Sequence, residues 1–161
     1  MPTLLKLSGG KYSLVDEDSY PSVSRFKWHT LNDGNETYAV RLVTMNGKRT
    51  PVMLHNQISG NSFTDHINGC GLDNRKCNLR NATPSLNQAN KRKHKATSSK
   101  YKGVAWYKNY GCWRASICKN RCTIHLGYFA SEADAGRAYD KKAKELFGEY
   151  ARLNDIPVEV W

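Results

Sequence analysis

The strongest constraint on this chain lies in its middle: residues 55 to 90 are dense in Asn, Gly and Asp and carry few large apolar side chains. A stretch of that kind buries little, so something other than packing must explain its polarity. The 161 residues, 39% hydrophobic, therefore suit small modules with modest cores better than one large core. Four Trp and nine Tyr supply large area per residue, and they also serve nucleic-acid surfaces.

Upstream of that stretch the pattern is of short strands and turns. Strands are predicted at 12–15, 26–31, 38–44 and 50–54, with turns at Asn32-Asp33-Gly34 and at Asn46-Gly47, a two-residue hairpin signal. One small antiparallel sheet is the expected product. Downstream, residues 85–90 read as a short helix capped near Thr83, with Pro84 at its first position.

Residues 91–101 form a basic, Ser-rich linker, followed by three strands predicted at 103–107, 113–118 and 123–127. A helix is predicted over 131–147, with Ser131 as cap and Asp134 at the capping-box position. Ala135, Ala138, Tyr139, Ala143, Leu146 and Phe147 form its apolar stripe, and Gly148 stops it. Gly136 inside that helix costs about 1 kcal/mol against Ala. By strand alternation, Val104, Trp106, Trp113, Ala115, Ile117, Ile124 and Leu126 share the face that meets the helix. Ala105, Tyr107, Arg114, Ser116, Cys118, Thr123 and His125 share the open face.

The net charge of +11 is not spread evenly. Residues 91–129 hold ten basic and no acidic side chains, while the rest of the chain is nearly balanced. That concentration is an electrostatic footprint, and it favours a phosphate backbone as partner. No apolar run approaches the roughly 18 residues of a membrane span. The N-terminal residues lack the apolar stretch of a signal peptide, and five cysteines, an odd number, are expected to stay reduced. A cytoplasmic location is expected, in a bacterium or a phage-infected host cell, at DNA. Neither a membrane nor an obligate protein partner is expected.

Asp65-His66 is separated by eleven residues from Asn78, which is separated by eight from Asn87. Cutting a phosphodiester requires a base for the attacking water and positive charge for the phosphate and the leaving oxygen. A His near its pKa suits the first task. A hard divalent cation held by one carboxylate and one amide carbonyl suits the second, leaving room for waters and substrate. With so few anionic ligands nearby, one metal ion is expected rather than two. A lone Asp-His pair is ordinarily a surface hydrogen bond, and Asn-rich loops are ordinarily turns; the full spacing argues against both. Asp73-Asn74 reads as a turn rather than a ligand. Cys70 and Cys77 fit no common zinc spacing and read as packed thiols.

The string D-H-I-N-G-x-G-L-D-N-R-x-x-N-L-R, followed by L-N-Q-A-N, resembles the HNH nuclease motif of phage and intron-borne homing endonucleases. The resemblance implies a ββα-metal site of two strands and a helix around one Mg²⁺ or Mn²⁺. Carried over, His66 matches the general base and Asp65 and Asn87 match the metal ligands. Asn78 matches the middle asparagine that holds the loop and orients the His. His55 and Arg80 match polar positions near the scissile phosphate. Cys70 departs from the family's usual polar residue, at a position outside the motif.

Residues 100–154 resemble the ethylene-response-factor (AP-two type) DNA-binding domain, through K-Y-K-G-V, W-R-A-S-I, H-L-G-Y-F, E-A-D-A-G-R-A-Y-D-K-K-A and A-R-L-N. The resemblance implies a three-stranded sheet that enters the major groove of double-stranded DNA. Ala105, Tyr107 and Cys118 replace arginines of the plant pattern, which leaves Arg114 alone for bidentate guanine reading. Lys102, Lys108, Lys119 and Arg121 are expected at phosphates, as is the run Lys91, Arg92, Lys93 and Lys95. Tyr107, Ser116 and His125 complete the expected DNA-facing set.

The expected fold is α+β, with an N-terminal β region at 1–54, the nuclease motif at 55–90 and a basic linker at 91–99. The DNA-binding domain follows at 100–154 and a tail at 155–161. A DNA endonuclease is the leading reading. A sequence-specific DNA-binding regulator without nuclease activity is the alternative, and an RNA-binding protein the weaker third.

Overall fold

The computed structural model describes residues 1–34, 36–93 and 97–157. The fold is α+β, made of several small antiparallel sheets and a C-terminal helix. The chain divides between Pro84 and Ser85 into two units.

In the first unit, β1 (Pro2–Lys6) and β2 (Tyr12–Asp16) pair antiparallel, and a short helix α1 (Tyr20–Ser24) follows with Pro21 in its first turn. A second sheet is the meander β3 (His29–Asp33), β4 (Glu36–Met45) and β5 (Lys48–Met53). Asn46 and Gly47 have φ of 51° and 73°, the two left-handed residues that a tight hairpin between twisted strands requires. A helix α2 (Leu54–Ser59) starts directly from β5 and stops at Gly60, whose φ is 72°. Two three-residue strands, β6 (Thr64–His66) and β7 (Leu79–Asn81), then pair antiparallel. Leu5, Leu7, Val15, Val23, Trp28, Ala39 and Leu54 form the core of this unit. The Trp28 indole is 1% exposed and donates from Nε1 to the Val23 carbonyl at 2.9 Å, so its polar atom is satisfied inside.

Sequence reading predicts one sheet over residues 1–54, and the structure has two there, β1–β2 and β3–β4–β5. β1 was invisible because its leucines, Leu4 and Leu5, are adjacent and show no alternation. The strand predicted to run through Leu54 ends at Met53, and Leu54 instead begins α2. Leu54 is fully buried there, a tertiary demand that overrides the local pattern.

The second unit contains α3 (Pro84–Asn90) and the meander β8 (Val104–Tyr107), β9 (Cys112–Lys119) and β10 (Cys122–Phe129), backed by α4 (Glu132–Phe147). Ser131 Oγ accepts from the amides of Ala133 and Asp134, which caps α4 as its sequence requires. Ala135, Tyr139, Ala143 and Phe147 face Ala115 and Ile117 of the sheet in two adjoining clusters, and Ala89 of α3 joins one of them. Gly136 has a packing reason: a Cβ there would lie 2.8 Å from Ile156 Cδ1 and 3.2 Å from the Tyr101 ring. Trp106 departs from its expected place against the helix. It is 40% exposed and meets Trp113 edge to face, with ring centres 5.0 Å apart.

Among the described residues no helix is long and apolar enough to cross a membrane. All five cysteines are free thiols.

Candidate functional site

The polarity of residues 64–81 is explained by hydrogen bonds rather than packing. β6 and β7 are joined by a loop that side-chain amides hold shut. Asn78 Nδ2 donates to the Asp73 carbonyl at 2.7 Å and to Asn68 Oδ1 at 3.0 Å, and its Oδ1 accepts from the Asn68 amide at 3.0 Å. Asn68 Nδ2 donates to Asp73 Oδ2, and Arg75 clasps the same carboxylate at 2.7 and 2.8 Å. Hydrogen bonding to Arg75 holds the Asp73 carboxyl below its usual range. The loop is also stitched to β2. Leu14 N donates to Leu72 O at 2.8 Å, and Asn74 N donates to Leu14 O at 2.7 Å.

Four of the expected site residues converge on this frame. His66 and Asp65 end β6, at 5% and 3% exposure. Arg80 faces Asp65 across the β6–β7 pair, and its Nε and a terminal nitrogen lie 2.9 and 2.8 Å from Asp65 Oδ2. His55, on α2, sets its ring 4.8 Å from that of His66, nearly perpendicular. Burial and then the neighbouring His66 push the His55 imidazole down to about 3, so it is neutral near pH 7. His55 Nδ1 is buried without a hydrogen-bond partner. Tyr38 of β4, which sequence reading did not single out, lies 5.9 Å from both imidazoles. Gly71 must be glycine for this packing, because a Cβ there would come within 2.6 Å of the Tyr38 ring.

The orientation of His66 follows from a chain of three hydrogen bonds. Asn74 Nδ2 lies 2.8 Å from Ser13 Oγ and 3.3 Å from the Gly71 carbonyl, which can only accept. The amide end of Asn74 therefore faces Gly71, and its Oδ1 faces His66 Nε2 at 3.2 Å. Ser13 Oγ in turn donates to the Leu72 carbonyl at 2.9 Å. An amide oxygen only accepts, so Nε2 of His66 carries a proton and the neutral ring keeps its lone pair on Nδ1. Burial lowers the His66 pKa, and the Asn74 bond and the Asp65 charge oppose that shift. Asn78 thus bonds within the loop, and Asn74 is the residue that bonds the imidazole. By sequence Asn74 reads as a turn residue, and nothing in the local sequence around Ser13 marks its partner.

Asn87 lies on α3, in the second unit. Among the described residues no group of three or more His, Cys, Asp or Glu side chains is placed to hold a metal. The Asp65 carboxylate is a hard oxygen donor, of the kind that suits Mg²⁺, an ion that keeps most of its waters.

The chain is 33% identical over 155 residues to an uncharacterized HNH endonuclease of Acanthamoeba polyphaga mimivirus, covering 96% of this chain and 80% of that protein. The chain belongs to the HNH endonuclease family. This HNH protein is also similar in part to plant proteins. An APETALA2-like protein 2 of Oryza sativa is 32% identical over 71 residues, 44% of this chain and 16% of its own length. An AP2-like ethylene-responsive transcription factor of Arabidopsis thaliana is 34% identical over 62 residues, 38% of this chain and 13% of its own. No protein-family model matches this HNH chain, and no solved structure gives a significant match.

The expected DNA-facing residues of this HNH protein lie in the second unit, and they do not all point outward. Tyr107, Arg114, Ser116 and His125 share the open sheet face, since Ala105 pairs with Arg114 and Ser116 with His125 across the sheet. Lys108 is exposed, and Arg121 occupies the β9–β10 turn with φ of 67°, a left-handed position unusual for a side chain of its size. Lys102 is a correction. Its Nζ donates to the carbonyls of Ala89 at 2.5 Å, Lys91 at 2.7 Å and Gln88 at 3.4 Å, closing the end of α3. Lys119 likewise turns inward, donating to the Leu146 carbonyl at 3.2 Å near the end of α4. Both ammonium groups answer the negative ends of helices rather than standing out for phosphates. Lys91, Arg92 and Lys93 are described, with Lys91 and Arg92 exposed; Lys95 lies outside the described residues.

Proposed function

We propose that this HNH protein is a metal-dependent DNA endonuclease that hydrolyses phosphodiester bonds in double-stranded DNA, of the homing type that its motif resembles. The observation that carries this reading is the buried His66, fixed through Asn74 and Ser13 in the tautomer whose Nδ1 can take a proton, beside the carboxylate of Asp65. His66 Nδ1 accepts the proton of the attacking water, and the ring is neutral at pH 7 because burial lowers its pKa. Asp65 would supply the carboxylate for one Mg²⁺ or Mn²⁺, whose positive charge would serve the phosphate and the departing 3′ oxygen; Asn87 matches the motif's second ligand by sequence. Asn78 keeps the β6–β7 loop closed, and His55 and Tyr38 wall the imidazole. Arg80, paired with Asp65 across β6 and β7, would lend its charge to the phosphate.

Binding falls to the second unit, where Arg114, Lys108, Arg121, Tyr107, Ser116 and His125, with the basic run from Lys91, meet the duplex. One active centre per chain nicks one strand; cutting both takes a second encounter or a second copy.

Asp65→Asn keeps the shape and removes the charge. It is expected to raise the Mg²⁺ concentration for half-maximal nicking at least about tenfold, with plasmid binding unchanged. Equal Mg²⁺ dependence in both proteins would remove Asp65 from the metal site. Asn74→Ala is expected to slow nicking about 10- to 100-fold at unchanged DNA affinity, read from single-turnover rates. A rate equal to that of the parent would show that His66 needs no orienting partner.

A further inference from the structure

The open face of the β8–β9–β10 sheet carries a cluster of rings, of which the cleavage reading uses Tyr107 and His125 as duplex contacts and leaves Tyr110 and Tyr128 without a role. Tyr107 of β8 stacks on Tyr128 of β10, with ring centres 5.5 Å apart and planes 29° apart. Tyr110, just beyond β8, lies 5.3 Å from Tyr107 and 6.0 Å from Tyr128, and His125 lies 4.6 Å from Tyr128. Plain alternation along β10 would send Tyr128 to the helix side. A bulge between His125 and Gly127, where Gly127 has φ of 130°, reverses the strand so that Tyr128 stands opposite Arg114 on the open face.

These rings are not core. Tyr110 is 74% exposed and Tyr128 51% exposed. Arg114 sets its guanidinium carbon 5.6 Å from the Tyr107 ring, and no acidic residue occurs anywhere from 91 to 129. A cationic surface with bare aromatic faces suits a polyanion that carries flat apolar groups. In a duplex those groups are stacked on one another and present only their edges, which are read by hydrogen bonds. Exposed ring faces gain from bases that are unstacked. We propose that Tyr107, Tyr110 and Tyr128 form a stacking platform for the unpaired bases of a single DNA strand, with Arg114 beside it for the phosphate. The platform binds an opened stretch, and its existence does not depend on whether the chain cuts.

The test uses the full chain in EDTA, so that no cleavage occurs, and a labelled oligothymidine of about twelve nucleotides, within the usual site size of such platforms. Fluorescence anisotropy compares it with a duplex of equal length. The oligothymidine is expected to bind more tightly than the duplex. The double variant Tyr110→Ala with Tyr128→Ala is expected to lose about tenfold or more in oligothymidine affinity and to keep its duplex affinity and melting temperature. The double Phe variant at the same positions keeps the rings and is expected to keep the affinity. A tighter duplex, an equal loss on both nucleic acids, or a loss in the Phe variant would each overturn the platform; the last would mean that hydroxyls hold the strand. Retained oligothymidine affinity in the Ala variant would also overturn it, and would leave the rings as a surface for a protein partner.

Discussion

Plasmid nicking by a His66→Ala variant is expected to fall about 100- to 10,000-fold, the usual contribution of a positioned general base. DNA affinity is expected to be unchanged, because the basic surface lies in the other unit. The chemistry leaves little to take over the role. His55, the neighbouring imidazole, is pushed down to about 3 by burial and by His66 itself, and Asp65 is held by Arg80. Removing the ring leaves Asn74 Oδ1 without its donor, at a cost of about 1–3 kcal/mol, so a melting curve should accompany the rate. His66→Gln, which can still donate to Asn74, separates the two effects. It should restore the melting temperature and remain inactive. Nicking by either variant at the parent rate would remove His66 from the reaction.

The largest expected effect on folding comes from Gly103→Ala. Gly103 has φ of 77°, in the left-handed region where a side chain is strained. A Cβ at this position would overlap the ring of Tyr139 and lie 2.8 Å from the Ser116 carbonyl. Tyr139 is 4% exposed and sits in the core of the second unit, and Gly103 O itself accepts from Ser116 N at 2.8 Å. Neither neighbour can retreat cheaply. The substitution is expected to destabilise the second unit by about 3 kcal/mol or more, combining backbone strain with overpacking. Urea unfolding followed by Trp fluorescence would read it, with loss of DNA binding at concentrations where the parent is still folded. An unchanged midpoint would mean that the β8 entry adjusts, and that this glycine is there for another reason.

How much of this could be read from residues alone depends on how local the cause was. The β4–β5 turn and the Ser131 cap are decided by neighbours in sequence, and both were legible. So were the α4 stripe and the three-stranded meander, since alternation and helical spacing are properties of a few adjacent residues. The spacing of Asp65, His66, Asn78 and Asn87 singles out a segment whose Asp65, His66 and Asn78 lie on or beside the β6–β7 pair. It could not reveal that Asn74 bonds His66, because that role exists only through Ser13, sixty-one residues away. Tyr38 was hidden for the same reason. The inward turn of Lys102 and Lys119 was also out of reach, since charge counting cannot tell an ammonium facing a helix end from one facing solvent. Gly127 is different. A glycine inside a strand pattern is a bulge signal, and the sequence itself thereby places Tyr128 on the open face.

Supercoiled plasmid incubated with the full chain separates a cutter from a binder in one gel. Open circles are expected to accumulate with Mg²⁺ or Mn²⁺ and to be absent in EDTA, with linear DNA appearing only later as a second strand is cut. Binding without open circles under any divalent ion would contradict metal-assisted hydrolysis at His66 and leave a DNA-binding protein in its place.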